Sequence, residues 1–220
     1  MVRGGADLVS PRHSMTQPAL FDRLDTPPDF EYRPGFVSEG EEAELLREIE
    51  ALEFSKVEMR GGVAKRRTAH FGWTYGYNAR TSEPGAPIPG FLLPLRARAA
   101  AWIRADPDEL AEALVTEYPE GAPIGWHRDA PMFGIIVGIS LAASCRMKFR
   151  RYVSPSATAD LGGAPRRTTH EIALAPRSAY VLKGVVRREF EHSIPPVTDK
   201  RYSITFRTVV SRTVKVRATR

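Results

Sequence analysis

The residues best suited to chemistry lie in Gly125-Trp126-His127-Arg128-Asp129, where a histidine and a carboxylate stand two positions apart. On extended chain such residues project to the same side, so an imidazole and a carboxylate can converge on one cation. Histidines occur at positions 13, 70, 127, 170 and 192, and only His127 is followed by a carboxylate at that spacing. A third ligand from elsewhere would complete a two-histidine, one-carboxylate face, leaving positions open for substrate and O2. His192 stands 63 residues after Asp129, immediately ahead of the final strand. Taken alone, the His-X-Asp triplet equally fits a surface turn. His70 and His170 fit solvent-facing or hydrogen-bonded histidines, and His13 lies in a loose leader.

The final strand bears on that choice. Arg201-Tyr-Ser-Ile-Thr-Phe-Arg207 places Arg201, Ser203, Thr205 and Arg207 on one face and Tyr202, Ile204 and Phe206 on the other. Arginines on an inner sheet face need anions, because unpaired buried charge is prohibitive. A dicarboxylate supplies two, and a guanidinium can hold each in bidentate fashion. The alternative turns the Tyr-Ile-Phe face inward and leaves both arginines in water. It explains the strand alone, but not its place nine residues after His192. Upstream, Thr116 and Tyr118 share a strand face and offer hydroxyls to the same dicarboxylate. A core tyrosine with its hydroxyl at the edge is the plainer reading of Tyr118.

These residues need a scaffold. Ser38 and Glu41 make a capping-box pattern, and Ala43, Leu45, Leu46, Ile49 and Leu52 give one apolar helix face. Pro84, Pro87 and Pro89 mark a loop before a second helix over 91–104, and a helical turn follows Pro107. Short alternating or β-branched runs at 113–118, 135–141, 145–151, 169–174, 179–183 and 201–210 read as strands. Their spacing predicts an α+β, mainly β domain, a sandwich or jelly roll, with the helices N-terminal. The stretch 154–167 reads as a polar surface loop.

At 220 residues the chain suits one domain. We expect a flexible leader over 1–30, in which Met15 offers a second start, one domain over 31–210 and a basic tail over 211–220. No apolar run approaches a membrane span and no secretory signal opens the chain. The single cysteine, Cys145, excludes an internal disulfide framework and reads as a buried structural thiol in a reducing cytoplasm. The net charge is +6, and its distribution is uneven. Residues 22–53 carry eleven acids against three bases, whereas 54–104 carry nine bases against Glu58 and Glu83. Such a segment fits a polyanionic partner or a solvated face.

In order and content these pieces resemble the AlkB-like dealkylating dioxygenases. The match runs through Tyr118, Trp126-His-Arg-Asp129, Ile139-Ser-Leu141, Cys145–Arg150, Gly184, His192 and Arg201-Tyr-Ser-Ile-Thr-Phe-Arg207. Phe71-Gly-Trp-Thr-Tyr-Gly-Tyr77 and Pro87-Ile-Pro89 resemble that family's nucleotide-recognition lid, here placed at 54–90 ahead of a jelly-roll core at 107–210. The resemblance implies a double-stranded β-helix (jelly-roll) core with N-terminal helices packed on one sheet. It implies Fe(II) on His127, Asp129 and His192, and 2-oxoglutarate held by Arg201 and Tyr118, with Arg207 beside its metal-proximal carboxylate. With O2 these hydroxylate an N-alkyl carbon, and the hemiaminal collapses to formaldehyde and the repaired base. Thr116 and Ser203 stand where the family often carries asparagines. Ala130-Pro-Met-Phe133 stands where base-repairing members often carry acids.

The expected partner is alkylated DNA or RNA, bound by a monomer with no membrane and no obligate protein partner. Trp73, Tyr75, Tyr77 and Trp126 are the candidates to pack an extruded base, and Lys65, Arg66 and Arg67 the candidates to hold flanking phosphates. Those aromatics equally fit ordinary core. Two alternatives stay open: the same chemistry on a protein or small molecule, and a non-catalytic nucleic-acid-binding module.

Overall fold

The structure is a computed structural model that describes residues 26–59, 62–76, 81–154 and 168–210. Helix α1 (Glu39–Glu50) starts at the expected capping box: Glu41 N donates to Ser38 Oγ at 3.2 Å, and Ser38 N donates to Glu41 Oε2 at 2.9 Å. Leu45 and Ile49 turn inward from it. Helix α2 (Leu93–Ile103) follows a 3-10 turn at Gly90–Leu92, so it begins two residues later than the sequence suggests. Its buried face is Leu95, Ala99 and Ala100. These side chains join the core on the helix side of the major sheet.

The strands are β1 (Phe30–Arg33), β2 (Ser55–Met59), β3 (Gly62–Gly76), β4 (Thr81–Pro84), β5 (Glu112–Tyr118) and β6 (Ile124–His127). They continue with β7 (Phe133–Leu141), β8 (Cys145–Arg151), β9 (Thr169–Leu174), β10 (Ser178–Leu182), β11 (Phe190–Ile194) and β12 (Arg201–Val209). A short helix, α3 (Gly184–Glu189), joins β10 to β11. The major sheet runs β1-β10-β7-β12-β5-β3-β2 with β4 on β3, and the minor sheet runs β6-β11-β8-β9. All pairs are antiparallel. From β5 to β12 the chain passes back and forth between the sheets, which makes the expected jelly roll.

Two cores result. Val115, Val137, Ile139, Tyr202, Ile204 and Phe206 leave the back of the major sheet and pack under α1 and α2. Tyr118, Ile136, Met147, Phe149, Ile172, Tyr180 and Phe190 fill the space between the sheets. Strand β12 lies between β5 and β7, and residues 201–207 are buried on both of its faces. Arg201 is 1% exposed and Arg207 8%, which excludes the solvated-arginine alternative. Buried Glu42 ties α1 to the sheet turns, accepting from Ala142 N and Arg177 Nη1, both at 2.9 Å.

Several elements were not evident from pattern. Strand β1 begins at Phe30, which the sequence reading places in the leader. Strands β6 and β11 carry Gly125, Trp126 and Glu191-His192-Ser193, so polar functional residues mask the alternation. Strands β5 and β7 start at Glu112 and Phe133, earlier than expected, because the first is a buried carboxylate and the second precedes a glycine. The 54–90 segment consists of β2, β3 and β4, which widen the major sheet, followed by the approach to α2. Cys145 is buried between the sheets, and burial pushes its thiol up. Among the described residues no helix is long and apolar enough to cross a membrane. The proposed tail at 211–220 and most of the leader lie outside the described residues.

Candidate metal centre

His127 closes β6 and His192 lies in β11, and the two strands pair with His192 opposite His127. Directly paired residues project to the same face, and the two rings sit with centroids 4.3 Å apart. Asp129 follows just beyond the end of β6 and returns to the same point. One ligand atom from each of His127, Asp129 and His192 lies within 4.8 Å of the others. This is the only such set of three among the described residues.

Neighbouring contacts leave the right atoms available. His127 Nδ1 donates to Gly125 O at 3.0 Å, so Nε2 keeps its lone pair. Arg207 Nη2 donates to Asp129 Oδ1 at 3.3 Å, while Oδ2 lies 3.7 Å from His192 Nε2. Burial alone would raise the Asp129 carboxyl, but His192, Arg207, His127 and Arg187 outweigh it and bring it down to about 2. Burial, with His127 beside it, pushes His192 down to about 3. At neutral pH the site therefore presents an anionic Asp129 carboxylate and a neutral His192 imidazole, the forms that bind a metal.

Behind the triad, the inner face of the major sheet is polar. Thr68, Thr116, Ser203 and Ser140 align across β3, β5, β12 and β7, all buried. In the next row on that face, Arg201 pairs with Tyr118. The Arg201 guanidinium lies 4.5 Å over the Tyr118 ring, and Nη2 donates to Ser140 Oγ at 3.0 Å. Its Nε and Nη1 are buried and have no hydrogen-bond partner. Two unmet donors on a buried cation call for a carboxylate, so the residues present fit the distal end of 2-oxoglutarate. Tyr180 lies between: burial raises its hydroxyl, which also feels Tyr118, Arg201 and Asp129. Gly138 leaves room for that ring, since a Cβ there would come within 2.2 Å of it.

Three contributors escaped the sequence reading. Glu112, 1% exposed, accepts from Arg207 Nη1 at 3.0 Å and faces His70 Nδ1 at 3.4 Å. Arg187, from α3, donates to Ala130 O at 2.6 Å and Phe133 O at 2.9 Å, and so clamps the loop after Asp129. Tyr180 is the third. Strand register brings Glu112 and Tyr180 to the site and α3 brings Arg187, and no local motif marks them.

The expected substrate residues are not gathered there. Trp126 points to the outer face of the minor sheet, with the Arg150 guanidinium 4.1 Å over its ring. Arg67 is held by Glu117 at 2.8 and 3.0 Å on the helix side of the major sheet. Lys65 is exposed and Arg66 half-buried on β3, and Trp73 is 40% exposed. Tyr75 lies within β3, and Tyr77 lies outside the described residues. His170 sits on β9, two strands from His192.

A family model for the 2OG-Fe(II) oxygenase superfamily matches residues 29–207. An Arabidopsis thaliana protein named "Alkylated DNA repair protein ALKBH8 homolog" is 30% identical over 176 residues, which is 74% of this chain and 49% of that protein. A Mus musculus protein named "tRNA (carboxymethyluridine(34)-5-O)-methyltransferase ALKBH8" is 25% identical over 169 residues, covering 73% of this chain and 23% of the mouse protein. The chain thus spans about half the length of the plant relative and less of the mouse one. The solved structure of OsALKBH1 superposes with a TM-score of 0.60 at 14% identity, over 83% of this chain and 98% of that one. The chain therefore belongs to the 2OG-Fe(II) oxygenase superfamily, as an AlkB-like dioxygenase that uses iron(II), 2-oxoglutarate and O2.

Proposed function

We propose that this dioxygenase removes N-alkyl groups, methyl above all, from nucleic-acid bases, in the service of DNA repair. Iron is held by His127, Asp129 and His192, and 2-oxoglutarate by Arg201 with Tyr118, Thr116 and Ser203 around it. The observation that carries the cofactor assignment is the buried Arg201 guanidinium with two unmet donors, on the inner face of the sheet opposite the one that carries His127 and His192. The nucleic-acid substrate is supported by the relatives, whose names refer to alkylated DNA and to tRNA. Once bound, iron and 2-oxoglutarate activate O2, supplying the oxidising power and releasing succinate and CO2.

The protein's own residues do the rest. Arg207 holds one oxygen of Asp129, Arg187 fixes the loop that follows, and the side chains packed between the sheets keep bulk water away. Hydroxylation of an N-methyl carbon gives a hemiaminal, whose C–N bond breaks to release formaldehyde and return the proton to the base nitrogen. Residues 31–210 act as one domain, with 54–90 as the cover over the substrate. A second reading keeps the chemistry and places the base in tRNA, which the mouse relative's name favours.

The test is a turnover screen with methylated single-stranded DNA, duplex DNA, RNA and tRNA, reading formaldehyde and succinate together. One of the four should release formaldehyde in step with succinate, and His192→Ala should release neither. Succinate coupled only to a peptide or a small metabolite would reject the nucleic-acid substrate while leaving the oxygenase in place.

A further inference from the structure

Three strands of the minor sheet meet at the triad. β6 ends at His127, β8 ends at Arg151, and β11 begins at Phe190, with Phe190 in register with Arg151. The residues at these strand ends are therefore gathered on one rim beside His127 and His192. They are Arg128, Arg151, Tyr152 and Arg188, and all four are exposed. The Arg128 guanidinium lies 3.8 Å over the Tyr152 ring, and its Nη1 donates to Arg188 O at 3.4 Å. Arg151 meets Glu189 at 3.0 Å. Neither Arg128 nor Arg188 has a carboxylate partner among the described residues.

Arg128 and Arg188, exposed neighbours with no carboxylate partner among the described residues, repel one another, and a polyanion relieves that repulsion. A ring beneath a guanidinium fixes its plane, so its forked donors are presented ready for a phosphate. The alternative basic site is poorly disposed: Arg67 is already engaged by Glu117 and faces the helices. We infer that the Arg128-Tyr152-Arg151-Arg188 rim holds the sugar-phosphate backbone of a single nucleic-acid strand while its base enters the pocket beside the triad. This rests on the nucleic-acid substrate proposed above and names the surface that holds it. A single strand fits because a base must leave any stack to reach a metal between two sheets.

The experiment measures binding of short labelled single-stranded DNA and RNA of one sequence across a salt series, for the full chain loaded with Mn(II) in place of iron. In Arg151→Ala/Arg188→Ala, two lost phosphate contacts should lower the log–log salt slope by about 1.4 and weaken binding roughly 25-fold at 0.1 M salt. Tyr152→Ala should weaken binding, and Tyr152→Phe should restore it. Loaded with Fe(II) instead, every variant should keep substrate-independent succinate production, showing that fold and cofactor site are intact. The strand that binds more tightly identifies DNA or RNA as the source of the phosphates. Unchanged affinity and slope in the double variant, with a loss in Lys65→Ala/Arg66→Ala, would overturn the rim and keep the nucleic-acid substrate. Wild-type protein that binds neither strand, or binds polyglutamate equally well, would overturn both.

Discussion

Arg201 and Arg207 lie six positions apart on one strand, and their surroundings give them different work. Arg207 is answered by two carboxylates, Glu112 and Asp129. Arg201 is answered by a hydroxyl and an aromatic face, and keeps two donors unmet. On the function proposed above, Arg201 is the one that would receive a ligand's carboxylate, while Arg207 holds Asp129 Oδ1. Arg201→Lys should raise the KM for 2-oxoglutarate by roughly 10- to 100-fold, the equivalent of one charge-assisted contact of about 1.5–3 kcal/mol. Metal affinity, titrated with Mn(II), should stay put. A fall in metal affinity at unchanged KM would exchange the two roles. At this scale the sequence was informative: the triad is recognisable from His-X-Asp and the arginine strand after His192. Glu112 was not, because its link to Arg207 spans 95 positions and exists only in the register of β5 against β12.

At the scale of elements, α3 shows why a short connector matters. It delivers Arg187 into the interior just before β11 delivers His192, so one excursion supplies both a ligand and a clamp on the other ligand's loop. Arg187→Ala would strand two buried carbonyls at about 1–3 kcal/mol each. We expect it to lower metal affinity by about 10- to 100-fold, the usual range for groups that support metal ligands. Arg187→Lys should recover part of the loss. A lower Tm with unchanged Mn(II) affinity would reduce Arg187 to a loop brace. Helix α1 was readable because its capping box and apolar spacing are local. The minor-sheet strands were obscured where they are most useful: β6 and β11 give up apolar alternation to carry His127, Glu191 and His192.

At the scale of the molecule, the ligands set an acid limit. His192 falls from its ordinary 6.5 to about 3 in the folded state, and Asp129 from 3.8 to about 2. Both groups take up protons more readily when unfolded, so their contribution to stability is present above the unfolded values and lost on acidification. The Tm of the metal-free protein should drop as pH falls from about 6.5 toward 3, and His192→Gln should flatten the upper part of that drop. A profile identical in both proteins would show that His192 is not the titrating group. The charge layout also has a direction: α1 carries Glu39, Glu41, Glu42, Glu44, Glu48 and Glu50 against Arg47, while the arginine rim lies on the other sheet. The overall jelly roll was legible from strand spacing; which sheet each strand joins was not, since that depends on pairings between distant segments. The two cores described above have a further consequence. The helix-side core contains none of the proposed iron, 2-oxoglutarate or rim residues. Selection can therefore rework the pocket between the sheets while the scaffold behind it goes on folding. The backbone likeness to OsALKBH1 at only 14% identity shows how far sequence can change while this fold persists.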